Sequence, residues 1–138
     1  MAQAENAAGV HELRLVVTTS DYDDALGFYR DVLGLREQET FTSPNGGRLT
    51  ILEAGRATME IADPDYAEYI DDVEVGHRVA GQIRVAFQVA DSAATTRATK
   101  AAGANVIAEP VRTPWNSLNS RLVAPAGLQL TLFTELSS

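Results

Sequence analysis

Nine residues of this chain recur seventy positions later in the same pattern. Leu13-Arg14-Leu15-Val16-Val17-Thr18-Thr19-Ser20-Asp21 aligns without a gap on Ile83-Arg84-Val85-Ala86-Phe87-Gln88-Val89-Ala90-Asp91. The first, third and fifth positions are apolar in both copies, the second is arginine and the last is aspartate. Alternation with period two is the mark of a half-buried strand. One face of each copy therefore turns to a core, and the other face carries an arginine. An aspartate closing the pattern, just before a helical stretch, is a capping signal. A repeated strand-then-helix unit predicts two related modules in one chain.

The bulk properties bound the rest. A length of 138 residues with 45% hydrophobic content suits one compact domain, read as spanning 1–138. No apolar run approaches the ~18 residues that would cross a membrane. Met1 to Gly9 is polar and alanine-rich, with neither a basic flank nor an apolar stretch, which sets the expectation of a cytoplasmic protein. There is no cysteine, so disulfides and thiolate-based metal sites are excluded. Two histidines, His11 and His77, are too few for a histidine-rich metal site. A net charge of −8 argues against a nucleic-acid partner, because phosphate binding needs a basic face.

The first module reads as strand, helix and three strands over 12–62. Ser20 or Asp21 caps its helix, Asp23 and Asp24 complement the dipole, and Leu26, Tyr29 and Leu33 recur at helical spacing as the buried stripe. Gly34 ends it. Strands follow over 35–42, 49–52 and 57–62. Residues 63–82 read as a connector, a solvated linker with six acids between Asp63 and Glu74 and at most a short helix around Ala67 to Ile70. The second module, over 83–136, repeats the order. A strand over 83–90 is followed by a helix capped by Asp91 and stopped by Gly103. A short strand then covers 105–108, and a loop holds Pro110, Pro114, Trp115, Asn116 and Asn119. Two strands over 121–124 and 128–134 close the module.

Tandem modules of this kind resemble the vicinal oxygen chelate superfamily. That group includes glyoxalase I, extradiol dioxygenases, fosfomycin-resistance enzymes, methylmalonyl-CoA epimerases and bleomycin-resistance proteins. The stretch from Asp21 to Leu35 resembles the family's first helix, with an acid followed by Phe28-Tyr29 and then Leu33-Gly34. Thr113-Pro114-Trp115 and Pro125-Ala126-Gly127-Leu128-Gln129-Leu130 are similar to its late loop and last hairpin. The resemblance runs from Leu13 to Leu136. It implies an α+β fold of two tandem βαβββ modules, each a curved mixed sheet with its helix on the outer face, together enclosing a concave cavity. In metal-using members the ligands lie on the first and last strands of each module. The equivalent positions here are Arg14, Glu60, Arg84 and Thr131. Arginine stays protonated in a protein, and two guanidiniums would repel a divalent cation. The expectation is therefore no metal and no cofactor.

Strand alternation puts Arg14, Val16 and Thr18 on one face, with Arg84, Ala86 and Gln88 equivalent to them, and Glu60 beside them on a neighbouring strand. Trp115 and Asn119 belong to the polar loop of the second module, where Trp115 reads either as an anchor packed on the core or as a cavity-lining residue. The ligand-binding set is accordingly Arg14, Thr18, Glu60, Arg84, Gln88, Trp115, Asn119 and Thr131. Glu60 is the one candidate for a catalytic group, as a general base. A neighbouring arginine is expected to lower its pKa. His11 and His77 read as ordinary exposed histidines of an arm and a linker. The overall acidity favours a cationic ligand and the two arginines an anionic or carbonyl-rich one. The local arginines decide, because a distant acidic surface is screened within ~8 Å at physiological salt.

Three readings stay open. The first is a metal-independent protein that binds a small organic molecule, resembling bleomycin-resistance proteins and working as a homodimer. The second is a lyase or isomerase using Glu60. The third is a scaffold whose former metal site is plugged by an arginine–Glu60 pair. Whether the modules pair within the chain or across a dimer is open at this level.

Overall fold

The computed structural model describes residues 9–137, and Met1 to Ala8, on which the cytoplasmic expectation rests, lie outside them. Strand β1 runs over Val10–Thr18, β2 over Arg36–Thr42, β3 over Arg48–Ala54 and β4 over Ala57–Ala62. In the second module β5 covers Ile83–Val89, β6 Asn105–Arg112, β7 Ser117–Val123 and β8 Gln129–Glu135. The eight strands form one curved, unclosed sheet in the order β2-β3-β4-β1-β5-β8-β7-β6. Each module contributes four adjacent strands. Within each, the first strand runs parallel to the last. The two copies of the repeated motif meet at the centre, where β1 pairs antiparallel with β5 and Arg14 stands opposite Ala86. The modules thus join edge to edge within one chain.

Helix α1 (Tyr22–Leu26, continuing as a π turn over Gly27–Val32) and helix α3 (Ser92–Ala101) cover the convex face. Tyr22 and Leu26 pack there on Leu52 and Ile61. Val85, Val89, Leu122, Leu130 and Leu132 form the matching core of module two. The Asp91 side chain accepts from the Ala94 N–H at 3.0 Å, a true N-cap. Asp21 stands at the equivalent place but makes no such bond.

The buried stripe of α1 differs from its expected one. The Leu33 N–H donates to the Phe28 carbonyl, five residues back, at 3.0 Å. The wider winding turns Leu33 off the core, and it is exposed, while Tyr22, Leu26 and Tyr29 keep the contact. Strand β6 is also longer than expected and contains Pro110. It is an edge strand, and its register shifts between Ala108 and Val111, so the missing N–H costs no ladder bond. His11 lies in β1 rather than in a separate arm.

The connector departs most. Residues Pro64–Glu74 form an eleven-residue helix, α2, that lies on the concave face. Asp63 caps it by accepting from the Tyr66 N–H at 2.9 Å, and Pro64 pre-sets its first turn. Tyr66, Ala67, Ile70, Asp71 and Glu74 are buried along one stripe, with Tyr66 and Ile70 packed on Leu49, Ile51 and Ala62. Among the described residues no helix is long and apolar enough to cross a membrane.

Candidate functional site

The centre of the sheet determines what the concave face offers. On β1, Val16 stands opposite Glu60 of β4 on one side and Arg84 of β5 on the other. The neighbouring row runs Thr58, Arg14, Ala86, Thr131 and Arg121 from β4 to β7. Directly opposed residues share a face. Both rows therefore point inward, and the small Val16 and Ala86 leave space between the long charged side chains.

That space is a cavity of about 190 Å³. Its polar wall includes Arg14, Glu60, Arg84, Thr131, Asn119 and Glu74, with Ser117 and Glu135 beside them. Its apolar wall comes from Phe41, Leu49 and Ile51 of module one, Tyr66 and Ile70 of α2, and Trp115 and Phe133 of module two. The Trp115 ring stands 6.0 Å from that of Tyr69, so the loop tryptophan is braced by α2.

Arg14 donates through Nε to Glu12 at 2.7 Å, stacks over the Phe133 ring at 4.7 Å, and keeps Nη1 3.9 Å from Glu60 Oε2. Arg84 is buried and donates from Nη1 to Thr131 Oγ1 at 2.9 Å. That bond uses one of its five N–H donors, and no other hydrogen bond involves it among the described residues. Glu60 is buried as well and accepts no hydrogen bond from the described residues.

Burial pushes the Glu60 carboxyl above the usual carboxylate range, and Arg84 and Arg14 only partly offset it. This reverses the expectation that arginine would win. Desolvation acts on the whole buried group, whereas neither guanidinium is in hydrogen-bond contact with it. Burial also lowers the pKa of Arg84.

The sign of the stability effect follows. A carboxyl whose folded pKa is raised holds its proton more tightly in the folded state, so Glu60 costs stability as pH rises from its unfolded value through the folded one. Glu60→Gln is expected to raise the melting temperature at pH 7–8, with the gain vanishing below about pH 4, where the carboxyl is protonated in both states. Thermal scans across pH check this. A variant less stable than wild type at pH 8 would show that the charged form is favoured by its surroundings.

Next to the cavity lies an ionic cluster that sequence reasoning missed. Arg121, fully buried, donates from Nη1 to Asp71 Oδ1 at 2.8 Å and from Nη2 to Glu74 Oε1 at 2.9 Å. Glu74 also accepts from the Thr131 hydroxyl at 2.9 Å and from Asn119 Nδ2 at 2.8 Å. The second oxygen of Asp71 takes the backbone N–H groups of Val79 and Ala80, both at 2.8 Å, and Arg78 Nη1 at 3.0 Å. Burial raises the Asp71 pKa, but the Ala80 and Val79 N–H groups and Arg121 outweigh it and hold the carboxyl below the usual range. The signal for this cluster was legible. Asp71 and Glu74 fall on the same helical stripe as Tyr66, Ala67 and Ile70, behind an Asp-Pro cap. Charge density alone had suggested a solvated linker.

Of the residues singled out from sequence, Arg14, Glu60, Arg84, Trp115, Asn119 and Thr131 line the cavity together. Thr18 does not. It borders a separate narrow crevice with Asp71 and Ala80, because β1 has passed beneath α2 by that point. Gln88 shares the face but stands opposite Glu12 and Phe133, beyond the cavity's end. His77 is exposed after α2. Phe41, Tyr66 and Phe133 were not singled out. Each belongs to an element whose inward direction depends on how far the sheet curls.

At the four positions where metal-using relatives hold their ion, the donor set is one carboxylate, one hydroxyl and two guanidiniums. Among the described residues no three of His, Cys, Asp or Glu gather into a set able to hold a metal. Arg84 and Arg14 fill the space with positive charge, so these residues do not fit a divalent cation.

A curved sheet of two fused βαβββ modules with its site in the concavity defines a class, and comparison with known proteins agrees. The model of the Glyoxalase/Bleomycin resistance protein/Dioxygenase superfamily matches residues 12–132. The chain belongs to that superfamily. No curated protein sequence matches it. Among solved structures, a hypothetical protein from Bacillus halodurans C-125 superposes with a TM-score of 0.68 at 19% identity, covering 91% of this chain and 94% of the other. Methylmalonyl-CoA epimerase from Mycobacterium tuberculosis gives 0.66 at 20% identity, covering 94% and 91%. A Streptomyces coelicolor methylmalonyl-CoA epimerase in complex with 2-nitronate-propionyl-CoA gives 0.66 at 22%, covering 94% and 100%. At these identities the likeness is one of fold.

Proposed function

We propose that this protein is a metal-independent small-molecule-binding member of the superfamily, holding an organic ligand in the cavity between Arg14, Glu60 and Arg84, in the manner of bleomycin-resistance proteins that sequester a drug. One observation carries the reading. Two buried charged groups, Arg84 and Glu60, face the same cavity with most of their hydrogen-bonding capacity unspent. Their unspent donors and acceptors open onto the cavity, since the enclosed unpaired side-chain atom among the described residues is Thr58 Oγ1, and a ligand that enters can therefore meet both groups. The plugged-scaffold alternative needs Arg14 and Arg84 to fill their surroundings, and a cavity of about 190 Å³ speaks against it.

Trp115 is the chain's one tryptophan and lines the cavity, so its fluorescence reports occupancy. A compound that quenches it saturably should bind about 1.5–3 kcal/mol more weakly to Arg84→Ala, the range for a hydrogen bond to a charged group. Arg84→Lys should recover part of that, since an ammonium cannot reproduce the planar fork. Calorimetric titration with a parallel melting curve checks it. A strong loss of stability with unchanged affinity would make Arg84 a structural plug.

A second reading is favoured by the raised pKa of Glu60. A carboxylate that is a stronger base than usual, facing a cavity beside an arginine, suits proton transfer from a carbon or oxygen acid, as in a lyase or isomerase. Under that reading Glu60→Gln keeps ligand affinity and loses turnover.

Homodimerisation belongs to the proposal too. Its support is the exposed apolar group Phe28, Val32 and Leu33 on the π turn, exposed by 51%, 73% and 57%. Within the single chain α2 walls one side of the cavity through Tyr66, Ile70 and Glu74, and another side stays open. Sedimentation equilibrium is expected to give twice the single-chain mass of 14.8 kDa at micromolar concentration, and a single-chain mass would count against a dimer.

A further inference from the structure

Glu60 and Arg84 flank Val16 on the two neighbouring strands, two strand spacings or about 10 Å apart along the sheet. Their side chains reach over Val16 from either side. A guanidinium offers only donors and an ionised carboxylate only acceptors. A head group seated between them must therefore show an acceptor to Arg84 and a donor to Glu60.

The surrounding charges leave Arg84 as the one wall cation without a carboxylate partner among the described residues, and an anion that reaches it also lies beside Glu60. Among the buried groups Arg84 and Arg121 stand with Glu60, Asp71 and Glu74, and the part-exposed Arg78 and Arg14 add positive charge beside Asp71 and Glu60. Arg121 is committed to Asp71 and Glu74. Arg14, the remaining cation of the wall, is committed to Glu12 at 2.7 Å and Glu135 at 3.5 Å. A second ionised carboxylate brought beside Glu60 would share its site, and two carboxylates in that position keep one proton between them.

We infer that this cavity selects small molecules with a neutral donor–acceptor head, namely a carboxylic acid taken up together with one proton or the matching primary amide, on a body whose enclosed part is about one ring. The inference rests on the reading of the cavity as a ligand site. The volume limits only the enclosed part of the ligand to about one ring, because the cavity is open on one side. About 190 Å³ is a little more than the roughly 150 Å³ engineered cavity that admits benzene. Phe41, Trp115 and Phe133 provide apolar faces for the ring. The groups that face Glu60 and set its proton affinity are Glu12 and Arg14 from β1, Arg84 from β5, and Tyr66 and Glu74 from α2. Among them, Tyr66 has its phenol pushed up to about 12 and stays protonated in the working range.

Three probes on one skeleton test this: phenylacetic acid, phenylacetamide and methyl phenylacetate, titrated by Trp115 fluorescence and by calorimetry in buffers of different ionisation enthalpy. The acid and the amide should compete for one site. The ester, which has no donor, should bind about ten- to a hundredfold more weakly than the amide. Above the pH at which Glu60 of the free protein ionises, found by comparing the pH dependence of melting in wild type and Glu60→Gln, acid binding should take up about one proton and its affinity should fall about tenfold per further pH unit, while amide binding takes up none. In Glu60→Gln the acid should bind as its anion, with no proton uptake and no such pH dependence, because the glutamine amide donates in place of the shared proton.

An ester equal to the amide, or acid binding to wild type without proton uptake at a pH where Glu60 of the free protein is ionised, overturns the head-group inference and leaves the cavity as a ligand site. If none of the three binds but a broader library yields a cavity ligand, a head lacking the donor–acceptor pair likewise overturns the inference, and one with the pair supports it. If no compound perturbs Trp115 or the melting temperature, both the inference and the proposed function fall.

Discussion

Arg121→Ala is expected to cost about 3–5 kcal/mol of folding stability, the penalty for removing one partner of a buried ionic cluster. The guanidinium is fully buried, and its loss leaves Asp71 and Glu74, exposed by 0% and 3%, facing each other's charge without it. The melting temperature should fall by roughly 10–20 °C for a chain of this length. The triple variant Arg121→Met, Asp71→Asn, Glu74→Gln removes the three buried charges at once, leaving the part-exposed Arg78, and is expected to recover part of the loss, since an uncharged replacement carries no desolvation penalty. Urea denaturation of both variants measures the difference. A single-variant loss under about 1 kcal/mol would show that α2 is held by its apolar contacts alone. Acid should act in the same direction. The Asp71 pKa is lowered in the fold, so its contribution is fully present above its unfolded value and is lost as pH falls through the folded one.

Gly47→Ala should be comparably damaging, for a steric reason. A methyl group there would lie 2.1 Å from the Tyr66 nitrogen and 2.6 Å from both the Asp65 carbonyl carbon and the Tyr66 Cα. These are backbone atoms of the first turn of α2, so relief requires moving the helix or breaking the Asp63 cap, whose bond is to that same nitrogen. A loss of about 3 kcal/mol or more is expected in urea denaturation, at the upper end of overpacking effects. Because Tyr66, Ile70 and Glu74 on α2 wall the cavity, binding of any cavity ligand should weaken as well. The neighbour Gly46 is the control. It has φ +85° but nothing within 4 Å of an added methyl, so Gly46→Ala should cost only about 1–2 kcal/mol for the left-handed conformation. Equal losses at the two positions would argue against the close approach of α2.

Both predictions concern α2, the element that sequence reading undervalued. A charge run reads the same whether it faces water or a buried arginine. Asp71, Asp72 and Glu74 are three acids of one segment, and only Asp71 and Glu74 meet Arg121, which lies some fifty positions away in the chain. The helical stripe from Tyr66 to Glu74 was present as a pattern, yet its partner surface, the concave face of the sheet, exists only after two modules have joined. The π turn in α1 illustrates the same limit on a smaller scale. The spacing of Leu26, Tyr29 and Leu33 is correct for an ideal helix, and the wider winding after Leu26 takes Leu33 out of the core.

What the sequence by itself determined is what local periodicity encodes. The repeat around Arg14 and Arg84 pointed to two strand-then-helix modules and to one shared face for both arginines, because alternation with period two is a property of the strand alone. The tertiary structure decided the rest: that the modules join through β1 and β5 in one chain, that α2 walls the concavity, that Thr18 and Gln88 fall outside the cavity, and that Glu60 is raised rather than lowered in pKa. Each of these depends on burial. Burial is set by which distant surfaces meet, and a carboxylate's proton affinity follows the water it loses as much as the charges written beside it.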